Sequence, residues 1–502
     1  MRIVKDPQMQ IGEVDISQIK FNPKSRDDIP QILKGLQYIY INISIREEIF
    51  KLLEKHITPK INKNNGRPGM HLWKIFVMGV LRLDLNCDYD RLEEMVNSHK
   101  TIRQMLGHPD FADGYCYQLQ TIKDNVSLLT PELLDGINQV VVKSGHILLK
   151  KKENEVLRGR CDSFVVETNV HFPTDINLLF DAMRKVITLS AVLCERHEYC
   201  SWRQHVYNIK HMKRLMRTAQ NRKRARARTD EQKKRRDALI IEAHQKYIDV
   251  AQNYLKKAYY TLESLKKKGL SAIKDILLTE SIQTFINHGV RQINQIERRI
   301  IFGEIIPHDE KVFSIFQPHT EWVVKGKAGV PVELGVKVCV MEDQYQFILH
   351  HRIMEKKTDD QVAISMVDET KKRFPSFSTC SFDKGFHSPN NQKELNEKLD
   401  VLAMKRKGRL SKQARAIEGS DEFRTARHKH SAVESAINAL EVHGLDMCPD
   451  HGIDGFKRYV ALAIVACNIH RIGAILKNRE QKIEERRREK YLSRDGTFKL
   501  AA

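Results

Sequence analysis

Through the first third of the chain, apolar residues recur three and four positions apart. Ile32, Leu33, Leu36, Ile39 and Tyr40 form one such set, and Ile49, Phe50, Leu52 and Leu53 another. This is the spacing of amphipathic helices. The stretch from His71 to Leu83 is apolar almost throughout and reads as a buried helix, and a second helix follows the turn at Asn86-Cys-Asp. Turn residues from Lys63 to Gly69, and Gly107-His-Pro, punctuate the pattern. Residues 1–150 are therefore expected to form a helical N-terminal domain, and a helix-turn-helix reader of DNA is one use for it.

The period changes at Leu157–Val170, where β-branched and aromatic residues predominate and predict a strand. Helical spacing resumes at once, with Thr174 or Asp175 as N-cap, and continues to about Arg299. Strand patterns return at Thr320–Lys325, Pro331–Val340 and Tyr345–Ile353, the last two joined as a hairpin at Glu342-Asp-Gln. A helix from Asp359, a strand at Ser378–Asp383, a helix over 391–400, a short strand at Val401–Lys405 and a helix at His430–Leu440 complete the order. That order predicts an α/β protein: a ribonuclease-H-like mixed sheet, with the helical N-terminal domain before it and a large helical insertion within it. The expected divisions are 151–174 and 307–475 for the sheet domain, 175–306 for a basic helical insertion, and 476–502 for a charged C-terminal tail.

Charge sharpens this picture. The 502 residues carry 85 Lys and Arg against 64 Asp and Glu, a net +21, so a polyanionic partner such as nucleic acid is expected. The surplus is dense at Arg222, Lys223, Arg224, Arg226 and Arg228, where alternation with alanine suits a helix presenting cations to phosphates. Nine scattered cysteines without a C-x-x-C pair argue for a reducing compartment. No signal-like N-terminus and no run of eighteen apolar residues occurs, so a soluble intracellular protein without a membrane is expected. Cys194, His197, Cys200 and His205 lack the spacing of a zinc knuckle and fall in what reads as one continuous helix, so a structural metal is not expected there.

The chemistry is carried by acids. Asp162 sits mid-strand, Asp383 ends a strand, and Glu434 lies on a helix. Two strand-borne Asp and a helical Glu are what a two-metal phosphoryl-transfer site needs: hard oxygen ligands for two Mg²⁺, with waters and substrate phosphate filling the shell. His430 and Asn438 stand four residues either side of Glu434 on the same helical face. His430 is a candidate for phosphate contact or proton transfer, or else a satisfied helix-face histidine. Lys384, His387 and Ser388 follow Asp383, and Lys325 and Lys327 lie in a glycine-flexed basic turn; each is a candidate DNA contact or a plain loop residue.

At these residues the sequence resembles a family. The stretch from Asp162 to Asp175, the run Ser381-Phe-Asp-Lys-Gly-Phe-His-Ser and the run His430-Ser-Ala-Val-Glu-Ser are similar to motifs of insertion-sequence DDE transposases, nearest the ISNCY-like group. The resemblance spans about residues 30–475. It implies that Asp162, Asp383 and Glu434 are the catalytic, metal-binding triad, using two Mg²⁺ or Mn²⁺ ions. It implies cleavage at mobile-element ends and transfer of the 3′-hydroxyl into target DNA. Partners would be double-stranded DNA, terminal repeats and target alike, and further copies of the chain, in bacterial cytoplasm at the nucleoid. Some relatives place Tyr, Arg and Lys around the Glu; the corresponding positions here hold Arg427, His430 and Glu441, so those contacts do not carry over. A nuclease without strand transfer, or a transposase-derived DNA-binding protein that has lost catalysis, are the alternatives.

Overall fold

The computed structural model describes residues 3–5, 8–9, 11–57, 69–111, 113–267, 269–270, 272–324 and 331–499, with side chains as far as 489. Lys325, Lys327 and most of the turn from Lys63 lie outside the described residues. The protein is mixed α/β and divides into two compact units, residues 1–169 with 323–502, and residues 170–322.

The first unit carries a mixed sheet of seven strands: β1 Leu157–Thr168, β2 Glu321–Val324, β3 Val332–Glu342, β4 Ile348–Ile353, β5 Phe377–Phe382, β6 Val401–Met404 and β7 Met447–Cys448. β1 is central, antiparallel to β3 and parallel to β5; β4 pairs antiparallel with β3, and β6 parallel with β5. β3 therefore runs opposite to β1, β4, β5 and β6. The two-residue β7 pairs with Glu167 and Thr168 at the end of β1, a strand too short to leave a pattern in the sequence.

The expected division near residue 150 is not a structural one. The N-terminal helices and the sheet share one hydrophobic core. Its axis is the helix Gly452–Lys499, against which Asp28–Ile41, Leu72–Asp84 and Pro131–Leu148 pack. Gly35 and Gly473 permit the closest of these approaches: a Cβ on Gly35 would collide with the backbone oxygen of Ile469, and one on Gly473 with that of Gln31. As far as Lys499 the expected 476–502 tail is likewise no separate element, because the core helix continues through Lys477 without a break. By length and composition that helix has a stretch able to cross a bilayer, but 72% of the stretch is buried inside the protein, as befits a core helix.

Polar groups lock the helices to the sheet. The Asn468 amide accepts from Ile348 N at 2.9 Å and donates to Ile348 O at 3.0 Å, and Asn138 donates to the same carbonyl at 3.0 Å. Asp343, wholly buried in the β3–β4 turn, accepts from Tyr345 N and Phe347 N and pairs with His146 Nε2 at 2.6 Å. Buried amides and carboxylates are tolerated when every lone pair finds a donor.

The second unit is helical and has its own core. It contains Asp175–Arg196, His205–Arg224, Asp230–Lys267 and Ile273–Ile296, followed by a π-turn at Glu297–Ile301. Thr174 is the N-cap, its hydroxyl accepting from Asn177 N at 3.2 Å. Two sequence expectations need correction here. The Cys194–His205 stretch is not one helix: it breaks after Arg196, where His197 and Arg196 both turn onto Asp275 at 3.0 Å. The Arg/Ala alternation is not helical throughout either. The helix stops at Arg224, leaving Arg226 and Arg228 in irregular chain.

Candidate functional site

Strand alternation decides which acids can meet. On β1, Arg160, Asp162 and Phe164 share one face, while Cys161 and Ser163 share the other. In the parallel register of β1 and β5, Arg160 is level with Ser381 and Cys161 with Phe382. One step on, Asp162 and Asp383 follow side by side, Asp383 just past the C-terminal end of its strand. That end of parallel strands is where backbone amides and loops converge on ligands. The helices of residues 421–440 cover the same face, since the ring of His430 reaches Ser381, with Nδ1 3.0 Å from the hydroxyl.

Glu434 does not share a helix with His430, contrary to the sequence expectation. Asp421–His430 ends at Ser431, and a new helix, Ala432–Leu440, begins there with Glu434 in its first turn. The helix is interrupted between His430 and Glu434, whereas Glu434 and Asn438 keep their four-residue facing relation within one helix. A carboxylate in a first helical turn is stabilised by the helix dipole.

The acids act on one another electrostatically. Asp162 is partly buried, and desolvation lifts its carboxyl to about 6. Its bond from Ser163 N works the other way, while the negative charges of Asp383, Asp359 and Glu434 push it further up. Asp359 is a fourth acid that sequence reasoning missed. It opens the helix Asp359–Arg373, accepts from Ser163 Oγ at 2.7 Å and lies 3.4 Å from Lys337 Nζ. Its partners are on the opposite face of β1 from Asp162, and nothing in its local sequence announces them.

Arg427 supplies the counter-charge, its guanidinium 3.3 Å from Asp383 and 3.2 Å from Phe382 O. His430 is buried, and desolvation together with Arg427 drops its imidazole to about 4, so it is neutral at physiological pH. Arg160 lies under the same face, donating to the carbonyls of Lys429 and Asp343 and pairing with the buried Glu342 at 3.2 Å. Asp383, Lys384, Glu434 and Asn438 are exposed. His387 accepts from Lys407 N at 3.3 Å, and Ser388 caps the helix Pro389–Lys398, which gives both residues a loop-building role. Arg222, Lys223, Arg224, Arg226 and Arg228 are all exposed on the helical unit.

The three acids offer only oxygen ligands, and the repulsion felt by Asp162 is of the kind a divalent cation relieves. Their ligand atoms are not drawn together as tightly as those of Asp84, His443 and His470, which all lie within 4.8 Å of one another. In this second group the donors already serve one another. His470 Nδ1 lies 3.0 Å from Asp84, and His443 Nδ1 donates to Asp84 O at 2.5 Å. Burial works against a charged His470, but its bond to Asp84 prevails and raises its pKa. The group clamps Leu72–Asp84 to the core helix.

None of the protein-family models, curated proteins or solved structures compared with the chain matches it.

Proposed function

We propose that the chain is a DNA transposase of the three-acid type, built on a ribonuclease-H-like sheet, which cuts at mobile-element ends and joins the freed 3′-hydroxyl to target DNA. The observation that carries this reading is the parallel register of β1 and β5, which sets Asp162 beside Asp383 on one face, with Glu434 in the first turn of the helix that follows the one packed on that face. Supporting it is the mixed sheet, in which β1 lies between β3 and β5, β6 follows β5, β4 flanks β3, and β3 runs opposite to β1, β4, β5 and β6, an arrangement that suits such a sheet. The net charge of +21 suits a DNA partner.

Asp162, Asp383 and Glu434 would hold Mg²⁺ or Mn²⁺, which when bound activates the attacking oxygen and neutralises the leaving one. The chain's own groups hold the acids and the DNA. Arg427 steadies Asp383 and puts a cation beside the scissile phosphate. His430, neutral and held by Ser381, packs the helix onto the sheet beneath the acids and keeps their spacing. Lys384 and Asn438 flank the exposed acids and reach for phosphate oxygens. Phosphoryl transfer asks for this kind of positioning more than for covalent chemistry. A second copy of the chain, bound at the other element end, pairs the two cuts in a bacterial nucleoid.

Incubating the protein with Mn²⁺, a supercoiled plasmid and an oligonucleotide ending in the element's own 3′-hydroxyl tests the reading. Oligonucleotide joined to plasmid is expected. Nicking without joining points to a nuclease, and binding with neither to a DNA-binding protein that has lost its chemistry.

A further inference from the structure

A cavity of about 560 Å³ opens within the helical unit, between the start of Asp175–Arg196, the end of His205–Arg224 and the chain from Ile306 to Trp322. Its volume falls in the range of small-molecule sites. Three features of its wall do not suit a solvent-filled crevice.

The first is Gln292. This residue has no solvent exposure, it lines the cavity, and neither its amide nitrogen nor its oxygen has a hydrogen-bond partner. A donor and an acceptor left open side by side are expensive to bury and ask for a ligand that presents the reverse pair. The second is charge. Lys223, Arg224, Arg299 and Lys311 line the cavity against a single carboxylate, Asp175, which Arg299 already engages through two bonds of 2.6 and 2.7 Å. Partial burial and then the nearby Arg299 lower the pKa of Lys223, against the pull of Asp175. The third is aromatic. Phe313 and Trp322 line the same wall with ring centroids 5.6 Å apart.

We propose that this cavity binds one nucleotide, its base paired edge-on with the Gln292 amide and packed against Trp322 or Phe313, its phosphate held by Lys223, Arg224 and Lys311. A heterocycle with adjacent donor and acceptor carrying an anion satisfies all three features together; an aliphatic acid leaves the rings unused, and inorganic phosphate leaves Gln292 unpaired. A nucleotide can come from solution or from a DNA strand that swings a base out of its stack. The strand source rests on the proposed function; the cavity itself does not.

The test uses the full chain in EDTA, where no cleavage occurs, as wild type, Gln292→Leu, Trp322→Ala and Asp162→Asn. The probes are deoxyadenosine monophosphate in calorimetry and a DNA hairpin with one unpaired 2-aminopurine, whose fluorescence falls on stacking. Wild type and Asp162→Asn are expected to bind alike, and both cavity variants about tenfold or more weakly. Gln292→Leu is expected to melt no lower than wild type, since it removes an unpaired buried amide. Quenching of the hairpin identifies a strand as the source, and heat from the mononucleotide alone identifies the free nucleotide. Absence of both signals in the wild type, or equal signals in both cavity variants, overturns the proposal. Loss of DNA cleavage by Asp162→Asn bears on the proposed function only.

Discussion

His430 Nδ1 lies 3.0 Å from Ser381 Oγ, one buried imidazole meeting one buried hydroxyl across the helix–sheet boundary beneath Asp383. The contact joins the helix that precedes Glu434 to the strand that delivers Asp383, so the spacing of two acids depends on it.

Its energetics are pH-dependent in a defined direction. The imidazole titrates near 4 in the folded protein, below its ordinary 6.5, because burial and Arg427 oppose its charge. The unfolded chain therefore binds more protons between these values. Stability is full above about 6.5 and is lost as the pH falls towards 4, by about 1–3 kcal/mol. His430→Asn removes the titration, and denaturant melts at pH 7 and pH 5 should show a smaller loss in the variant than in wild type.

Asp162 behaves oppositely. Its carboxyl is raised from 3.8 to about 6 by burial and by neighbouring acids. The stability of its protonated form is complete below 3.8 and disappears as the pH rises through 6. Asp162→Asn should therefore stabilise the protein by about 1–2 kcal/mol at pH 8 while abolishing DNA cleavage. Millimolar Mg²⁺ should raise the melting temperature of the wild type and leave that of the variant nearly unchanged.

Arg82 and Asp450 form a two-bond ion pair at 2.6 and 3.3 Å, with side chains 3% and 10% exposed. The guanidinium also stacks over Tyr89, 3.9 Å from the ring centroid. Asp450→Ala leaves that cation buried and unpaired, a loss of about 3–5 kcal/mol. A comparable substitution of the exposed Asp230, which pairs with the exposed Lys233, should change stability by less than about 1 kcal/mol.

The basic stretch makes a salt-dependent prediction. Arg224, Arg226 and Arg228 are exposed. If each meets a phosphate, replacing all three with alanine lowers the slope of log affinity against log salt by about 2–3. Fluorescence anisotropy with duplex DNA over a salt series reads this directly, and Asp162→Asn should keep the wild-type slope.

The strands that carry or deliver Asp162 and Asp383 were legible in the sequence because they are β-rich and well punctuated. Asp162 and Asp383 needed only period-two alternation and a parallel register to reach one face. The break at Ser431 was hidden, since serine between helical residues gives no strong stop. Asp359 was hidden for another reason: its bond to Ser163 joins residues 196 positions apart. The merging of the N-terminal helices with the sheet was hidden likewise, resting on Asn138, Asn468, His146 and Asp343, whose partners are distant in the chain. Local periodicity reports which face of an element is apolar, and not which element will cover it.

The most direct measurement is gel-resolved cleavage of a DNA fragment carrying the element's own end, with Mg²⁺ or Mn²⁺, by wild type and Asp162→Asn side by side. Metal-dependent nicking at the end by the wild type and none by the variant is expected, with end binding retained in both. Tight, salt-sensitive binding with no cut by either protein, or equal cutting by both, would contradict it.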